Sequence, residues 1–344
     1  MRLSIVIDNY NYREFVAQAI ESSLAQTHDD VELIVVDDGS TDGSVDVINR
    51  FADRIKLIAK PNGGQGSAYN AGFAASSGEI VIFLDADDWL YPEAAANVAA
   101  AWHGGVSKVQ FPLLMVDREG RSLGRQIPHH MHDHQALALV REFGTYGSPP
   151  GSGNAYSASF LRQVLPMSET QWRIAADSVP ILLAPAYGEV VTLPAAQGAY
   201  RLHRPTDDGS LLMNNAPTGL WSEYERADST KRFVEQSLSR LNQKPRVPQL
   251  LAPWEARLAA ICLRFGDQDK KEGKDKGAIA PGAASVSRGK LMRLALQSVW
   301  HWPMIGLGMK LVTSIWMMGV LVLPRPLALR LAQLHRTSTG ASTA

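Results

Sequence analysis

Strand-like and helix-like segments alternate four times in roughly the first 85 residues, and this rhythm constrains the fold more than any other feature. Residues 3–7, "LSIVI", form a β-branched apolar run of the kind that becomes a buried strand. Behind it, "REFVAQAIESSLAQT" spaces Phe15, Val16, Ala19, Ile20 and Leu24 along one helical face. Residues 31–36 read as a second strand, followed by an Asp- and Gly-rich turn and a helix from about Ser44 to Phe51. "IKLIAK" is the third strand, and "PNGGQGSAYNAGFAASSG" is a glycine-rich loop entering a small-residue helix that stops at Gly78. "EIVIFL" is the fourth. Parallel strands need crossover helices, so this pattern predicts an α/β layer with a mixed, mainly parallel sheet flanked by helices. Such sheets bind ligands beyond the carboxyl ends of their strands, where strand order reverses.

The polar chemistry falls at those ends. "DNYNY" follows the first strand, "DDGSTD" the second and "DADD" the fourth, so all three should gather along one edge. In "FLDADDWLYP" the carboxylates of Asp85, Asp87 and Asp88 crowd into four residues. Aspartate is common at strand ends and helix caps, but repelling carboxylates this close need a cation, water or hydrogen-bond donors between them. Mg²⁺ or Mn²⁺ suits oxygen ligands and commonly shares carboxylates with a substrate's phosphates.

The remaining segments set boundaries. "EAAANVAAAW" predicts a helix after Pro92, "KVQFPLLMVD" one further strand, residues 174–186 a helix and "EVVTLPA" a strand. "HHMHDH" at 129–134 reads as an exposed polar connection, and "YGSPPGSGNAYS" as a loop at a functional rim. Lys plus Arg and Asp plus Glu number 34 each, which gives no global reason to expect nucleic-acid binding. The single cysteine, Cys262, excludes an intrachain disulfide and every multi-cysteine metal site. With only a five-residue apolar core at the N-terminus, too short for a secretory signal, a cytoplasmic protein is expected. Residues 266–290 have almost no apolar anchors and read as a flexible linker. Beyond them, 291–335 form a hydrophobic helical extension. Its uninterrupted apolar run, Leu311 to Leu323, is shorter than the roughly 20 residues a bilayer-spanning helix needs. With Trp300, Trp302 and Trp316 nearby and Arg325 and Arg330 following, the stretch 300–330 is a candidate interfacial membrane contact, the alternative being a helix docked on protein.

Taken together, "SIVIDNYNYREFVAQAIESSLAQTHDDVELIVVDDGSTDGS", "NGGQGSAYNAG" and "FLDADDWLYP" resemble the inverting family 2 glycosyltransferases of the GT-A fold, closely over 3–110 and more loosely over 145–208. The resemblance implies a nucleotide-sugar donor, usually a UDP-sugar, and transfer to a hydroxyl acceptor in polysaccharide or lipid-linked glycan synthesis. It implies a nucleotide-sugar-binding half at 1–110, an acceptor-binding half at 111–215 and a helical extension at 216–265. Tyr10 would stack on the base and Asp38 would accept its imide proton, with Asp8 and Asp37 near the same base and Asn70 and Arg201 also on the nucleotide. Asp85 and Asp87 match the family's DXD motif and would hold the metal together with His203, Asp87 most directly, with Asp85 also on the nucleotide. Asp177, in "WRIAADSVPILLAPAYGEVVTL", matches the catalytic base; Asp is also an ordinary helix N-cap. This places the protein at the inner face of a plasma membrane. Departures from the pattern are Asp8 and Asn9 in "IDNYN", Tyr69 where arginine commonly precedes the asparagine, and Ala176 where an acid often precedes the base. Two rivals are a nucleotidyltransferase, which usually needs a glycine-rich loop near the N-terminus where residues 3–20 have no glycine, and a noncatalytic nucleotide-sugar-binding protein.

Overall fold

The computed structural model describes residues 1–203, 220–265, 288–303 and 305–338. The backbone divides into two compact units, one of residues 1–138 and 146–205 and the other of 139–145 and 206–344. The expected linker at 266–290 lies almost wholly outside the described residues, as does the end of the expected acceptor half beyond 203.

The first unit is built on β1 (Leu3–Asn9), β2 (Val31–Asp37), β3 (Lys56–Ala59) and β4 (Ile80–Asp85), all parallel. Between them run α1 (Val16–Leu24), α2 (Ser44–Ile48) and α3 (Gln65–Ala75). Beyond β4 come the two-residue β5 (Trp89–Leu90) and the helix α4 (Ala94–Ala100). Leu3, Ile5, Ile7, Leu33, Val35, Ile80, Ile82 and Leu84 are buried in the core, which is why the four strands read as continuous apolar runs rather than alternating ones. Gly72 lets α3 approach the sheet: a β-carbon there would lie 2.2 Å from a methyl of Val6.

"KVQFPLLMVD" is two strands, not one. β6 (Val106–Gln110) joins the large sheet, the chain turns at Phe111 and Pro112, and β7 (Leu113–Val116) enters a second, smaller sheet with β8 (Ser122–Ile127). Proline cannot donate to a sheet ladder, which accounts for the break. After α5 (Ala136–Phe143), where the chain crosses between units, "NAYS" is the strand β9 (Asn154–Ser157). It runs antiparallel between β4 and β6, in the middle of the sheet. Then follow α6 (Ala158–Val164), α7 (Ser178–Leu183), β10 (Glu189–Thr192) and β11 (Gly198–Arg201). The large sheet has the order β10-β6-β9-β4-β1-β2-β3, and the small one β5-β11-β7-β8. The chain therefore reverses direction of travel between β1 and β4, so the crevice rule places a ligand at their carboxyl ends.

Among the described residues of the second unit are α8 (Leu220–Arg240), α9 (Pro253–Phe265), α10 (Arg288–His301), α11 (Leu307–Val322) and α12 (Arg325–Ser338). Leu258, Cys262, Leu291, Val299, Trp316 and Val320 share one core. A buried ion pair, Lys231 Nζ to Glu255 Oε2 at 2.8 Å, joins α8 to α9. No described helix is long and apolar enough to cross a membrane.

Candidate active site

Strand register brings the first two acids together. Asp8 on β1 lies directly opposite Asp85 on β4, and the two carboxyls share a hydrogen bond. Burial, then the charge of Asp87, pushes Asp8 up to about 7, with one of its oxygens buried and without a partner. Burial also holds Asp85 well above the usual carboxylate range, with Asp8 and Asp88 adding to the rise. Two anions cannot sit side by side in a water-poor crevice, so one proton or one cation must stay with them.

Asp88 has a different part. It is 2% exposed, and its two oxygens accept from Ser152 Oγ at 2.6 Å and from the Arg201 amide at 2.9 Å. Ser152 Oγ in turn accepts from the Asp85 amide at 3.1 Å. Asp88 thus pins the turn after β4 to β11. Arg201 works on the same turn. Its Nε donates to the Asp87 carbonyl at 2.9 Å, its Nη1 to the Arg118 carbonyl at 2.5 Å and its Nη2 to Gln18 Oε1 at 2.6 Å. Its guanidinium also lies over the rings of Phe15 and Trp89, at 4.6 and 5.0 Å from their centroids. His203 Nε2 lies 2.6 Å from Asp87 Oδ2.

One oxygen atom each of Asp85, Asp87 and Asp88 falls within 4.8 Å of the other two. A hard divalent cation fits this donor set: the oxygens are carboxylates, four aspartates meet here against one imidazole and one guanidinium, and one buried Asp8 oxygen has no partner. Because Asp88 is engaged elsewhere, Asp85 and Asp87 would hold the ion.

At the same carboxyl end of β1, towards β2, the nucleotide-side residues form a linked loop system. Tyr10, just past the strand, is 47% exposed and offers a free ring face. Asp37 accepts from Asn9 Nδ2 at 2.7 Å and from the Ser40 amide at 3.0 Å. Asp38 accepts from Lys60 Nζ at 2.6 Å and from the amides of Gly63 and Gly64 at 2.9 and 2.6 Å, so it anchors the glycine-rich loop. Gly64 has φ +87°, and a β-carbon there would meet the Arg173 carbonyl at 2.5 Å. That close approach joins the loop to the segment before Asp177: the amides of Gln65 and Gly66 donate to the carbonyls of Arg173 and Trp172. Asn70 grips Met167 at both ends, its Nδ2 donating to the carbonyl at 2.9 Å and its Oδ1 accepting from the amide at 2.8 Å.

Asp177 stands at the start of α7 but makes no side-chain cap. The helix begins at Ser178, four residues later than the sequence pattern suggests, because Ala175 takes φ +59°, in the left-handed region. Burial raises the Asp177 carboxyl, while the amides of Ser178 and Gly151 and the charge of Lys108 pull it back. Gly151 measures the site. A β-carbon placed on it would lie 3.5 Å from Asp177 Cβ, 3.6 Å from Asp85 Oδ2 and 3.2 Å from the Tyr69 hydroxyl. Asp85, Asp177 and the Tyr69 hydroxyl therefore converge on one point beside Gly151 in the same unit.

Two groups were not singled out from sequence. Ser152 is the internal brace of the acidic turn, but a serine in "SPPGSGN" looks like ordinary loop composition. Tyr69 was marked only as a departure from pattern, yet its hydroxyl is buried, has no hydrogen-bond partner and faces Asp8, Asp85 and Asp177. The histidine run is also not a free loop: His132 is buried, and its Nδ1 accepts from the Gly147 amide at 2.9 Å.

Comparison with known proteins agrees with this geometry. Residues 4–165 match the family described as Glycosyl transferase family 2. An uncharacterized glycosyltransferase of Nostoc sp. is 35% identical over 255 residues, which span 72% of this chain and 79% of the relative. The chondroitin synthase of Pasteurella multocida is 39% identical over 95 residues, 27% of this chain but only 10% of that protein. Among solved structures, S. aureus TarS 1-349 in complex with UDP aligns with a TM-score of 0.55 at 15% identity, over 98% of this chain and 92% of that one. The same protein in complex with UDP-GlcNAc aligns with a TM-score of 0.53 at 17% identity, over 99% and 92%. The chain belongs to glycosyltransferase family 2 and has the GT-A fold, with a helical C-terminal region.

Proposed function

We propose that this glycosyltransferase moves a sugar from a UDP-sugar to an acceptor hydroxyl with inversion, using a divalent cation. The observation that carries the reading is the convergence of Asp85 and Asp177, from separate segments of the chain, on one point beside Gly151. An inverting transfer needs a leaving-group site and a base on opposite faces of the sugar. In this reading Asp177 accepts the proton of the acceptor hydroxyl as that oxygen bonds to the anomeric carbon, and the bond from that carbon to the diphosphate breaks. Burial of Asp177 raises its basicity, and the Gly151 and Ser178 amides keep it ionised enough to act. Asp85 and Asp87 would hold the cation; when bound, it would offset the charge developing on the diphosphate. Asp88, Ser152 and Arg201 keep that pair in place. Tyr10 supplies the stacking surface for the base, with Asp37 and Asp38 shaping the pocket beside it. UDP is the first nucleotide to test because the TarS structures hold UDP and UDP-GlcNAc.

A membrane-side position, with an acceptor in a polysaccharide or lipid-linked glycan, is supported by α11. Thr313, Trp316, Met317 and Val320 form its buried stripe, while Leu311, Val312, Ile315, Met318 and Val322 on the other side are exposed. Apolar side chains left exposed opposite a buried stripe suit a lipid surface, and at about 24 Å the helix is shorter than a bilayer's hydrocarbon core. Residues 288–344 carry seven Lys and Arg and no Asp or Glu, matching an anionic lipid surface.

The test of transfer is UDP release and product formation with Mn²⁺ and a panel of UDP-sugars, with the anomeric configuration read by NMR. Asp177→Asn should bind UDP as the parent does and lose transfer by at least about a hundredfold. Retained anomeric configuration, or full activity in that variant, would sink the mechanism.

A further inference from the structure

Tyr69 is a polar group of this crevice that the mechanism above leaves unused. It is 1% exposed, and its hydroxyl is buried with no hydrogen-bond partner. A buried hydroxyl left unpaired is destabilising, a cost that natural cores seldom carry without a reason. Its direction is set from three sides. The ring stacks on Phe83 with centroids 4.0 Å apart and planes 5° from parallel. Asn70, the next residue, is fixed to both polar groups of the Met167 backbone. Gly66, one turn earlier on the same helix, donates to the Trp172 carbonyl. The hydroxyl therefore cannot swing away to a partner elsewhere. Burial and the surrounding carboxylates raise the phenol well above its usual range, so it is always protonated and can both donate and accept.

Its position decides what it can meet. The hydroxyl lies 3.2 Å from the same point beside Gly151 that is 3.6 Å from Asp85 Oδ2 and 3.5 Å from Asp177 Cβ. In an inverting transfer, the group lying between the cation-binding pair and the base is the sugar itself. We propose that the Tyr69 hydroxyl hydrogen-bonds the transferred sugar and is a specificity-determining residue for the donor. The inference rests on the proposed function, and it deepens it by assigning one sugar contact. A site built to hydrogen-bond a substrate hydroxyl discriminates by leaving that buried group unpaired when the wrong sugar binds.

The variant is Tyr69→Phe, which keeps the stack on Phe83 and removes only the oxygen. Titration calorimetry with Mn²⁺ would compare UDP with UDP-GlcNAc, UDP-glucose and UDP-galactose. For whichever UDP-sugar the parent binds more tightly than UDP, the variant should lose roughly five- to tenfold in affinity, with UDP itself unchanged and the melting temperature equal to or above the parent's. An equal loss for UDP would assign the hydroxyl to the diphosphate and overturn the inference. So would unchanged binding of every ligand, or a parent that binds no UDP-sugar more tightly than UDP. A parent that binds no nucleotide at all contradicts the proposed function instead, and this inference falls with it.

Discussion

Replacing Ser152 with alanine removes the brace of the acidic turn without touching any group proposed to meet substrate. Ser152 is fully buried; its hydroxyl donates to Asp88 Oδ2 at 2.6 Å and accepts from the Asp85 amide at 3.1 Å. A hydrogen bond to a charged group contributes about 1.5–3 kcal/mol, and stranding the Asp85 amide adds about 1–3 kcal/mol before relaxation. Allowing for partial relaxation, the first unit should lose on the order of 3 kcal/mol, or about 6–12 °C in melting temperature at its size. The loss also has a pH sign. Asp88 is held well above the usual carboxylate range by burial, and the Ser152 bond works against that rise. Removing the bond makes Asp88 harder still to ionise, so the penalty is smallest where Asp88 is protonated in both proteins and grows as pH rises. Differential scanning calorimetry in EDTA at pH 5 and pH 8, with amide exchange of the 83–92 peptide, reads both effects. A variant within about 1 °C of the parent at pH 8, or with unchanged exchange in that peptide, would refute the bracing argument.

Other consequences can be measured on the same protein. Because Asp8 is raised to about 7 and Asp85 is raised beside it, the charged cluster opposes folding progressively as pH climbs towards neutrality, and a cation relieves that opposition. Mn²⁺ should therefore raise the melting temperature more at pH 8 than at pH 5.5; an equal rise would separate the ion from these carboxylates. In the second unit, Lys231→Met strands the buried Glu255 carboxylate and the Phe143 and Leu250 carbonyls that Lys231 also serves. It should cost about 3–5 kcal/mol in urea unfolding and more than Glu255→Gln, whose lysine keeps two carbonyl partners; the reverse order would contradict the pairing. Ile315, 70% exposed on α11, should tolerate aspartate without loss of helicity while co-sedimentation with phosphatidylglycerol vesicles falls severalfold. Wild-type protein that ignores such vesicles at low salt would remove α11 as a lipid contact.

The four parallel strands were legible because their burial on both faces writes itself as unbroken apolar runs, and the acids at their ends stood out against that background. The rest was hidden for physical reasons. β9 is only four residues long and lies behind "SPPGSG", so its local composition is that of a loop while its pairing with β4 and β6 is entirely long-range. The division of "KVQFPLLMVD" into strands of two sheets depends on one proline, and propensity alone reads through it. In the site, Asp85, Asp87 and Asp177 were visible as residue types in a pattern. That Asp88 turns away to Ser152 and the Arg201 amide was not, since it depends on where β11 returns. The part Arg201 plays in the turn was hidden for the same reason: its three hydrogen bonds to Asp87, Arg118 and Gln18 join segments far apart in the chain. Tyr69 stands out in the sequence only as a departure from the family pattern, because its unpaired hydroxyl depends on neighbours that the fold brings in from other segments.

The most direct test of the cation-bridged diphosphate is UDP binding by calorimetry, with Mn²⁺ and with EDTA, for the parent and for Asp87→Asn. The account predicts at least about tenfold tighter binding with Mn²⁺ in the parent and little or no metal dependence in the variant. Parent protein that binds UDP equally well in EDTA and Mn²⁺ would contradict it.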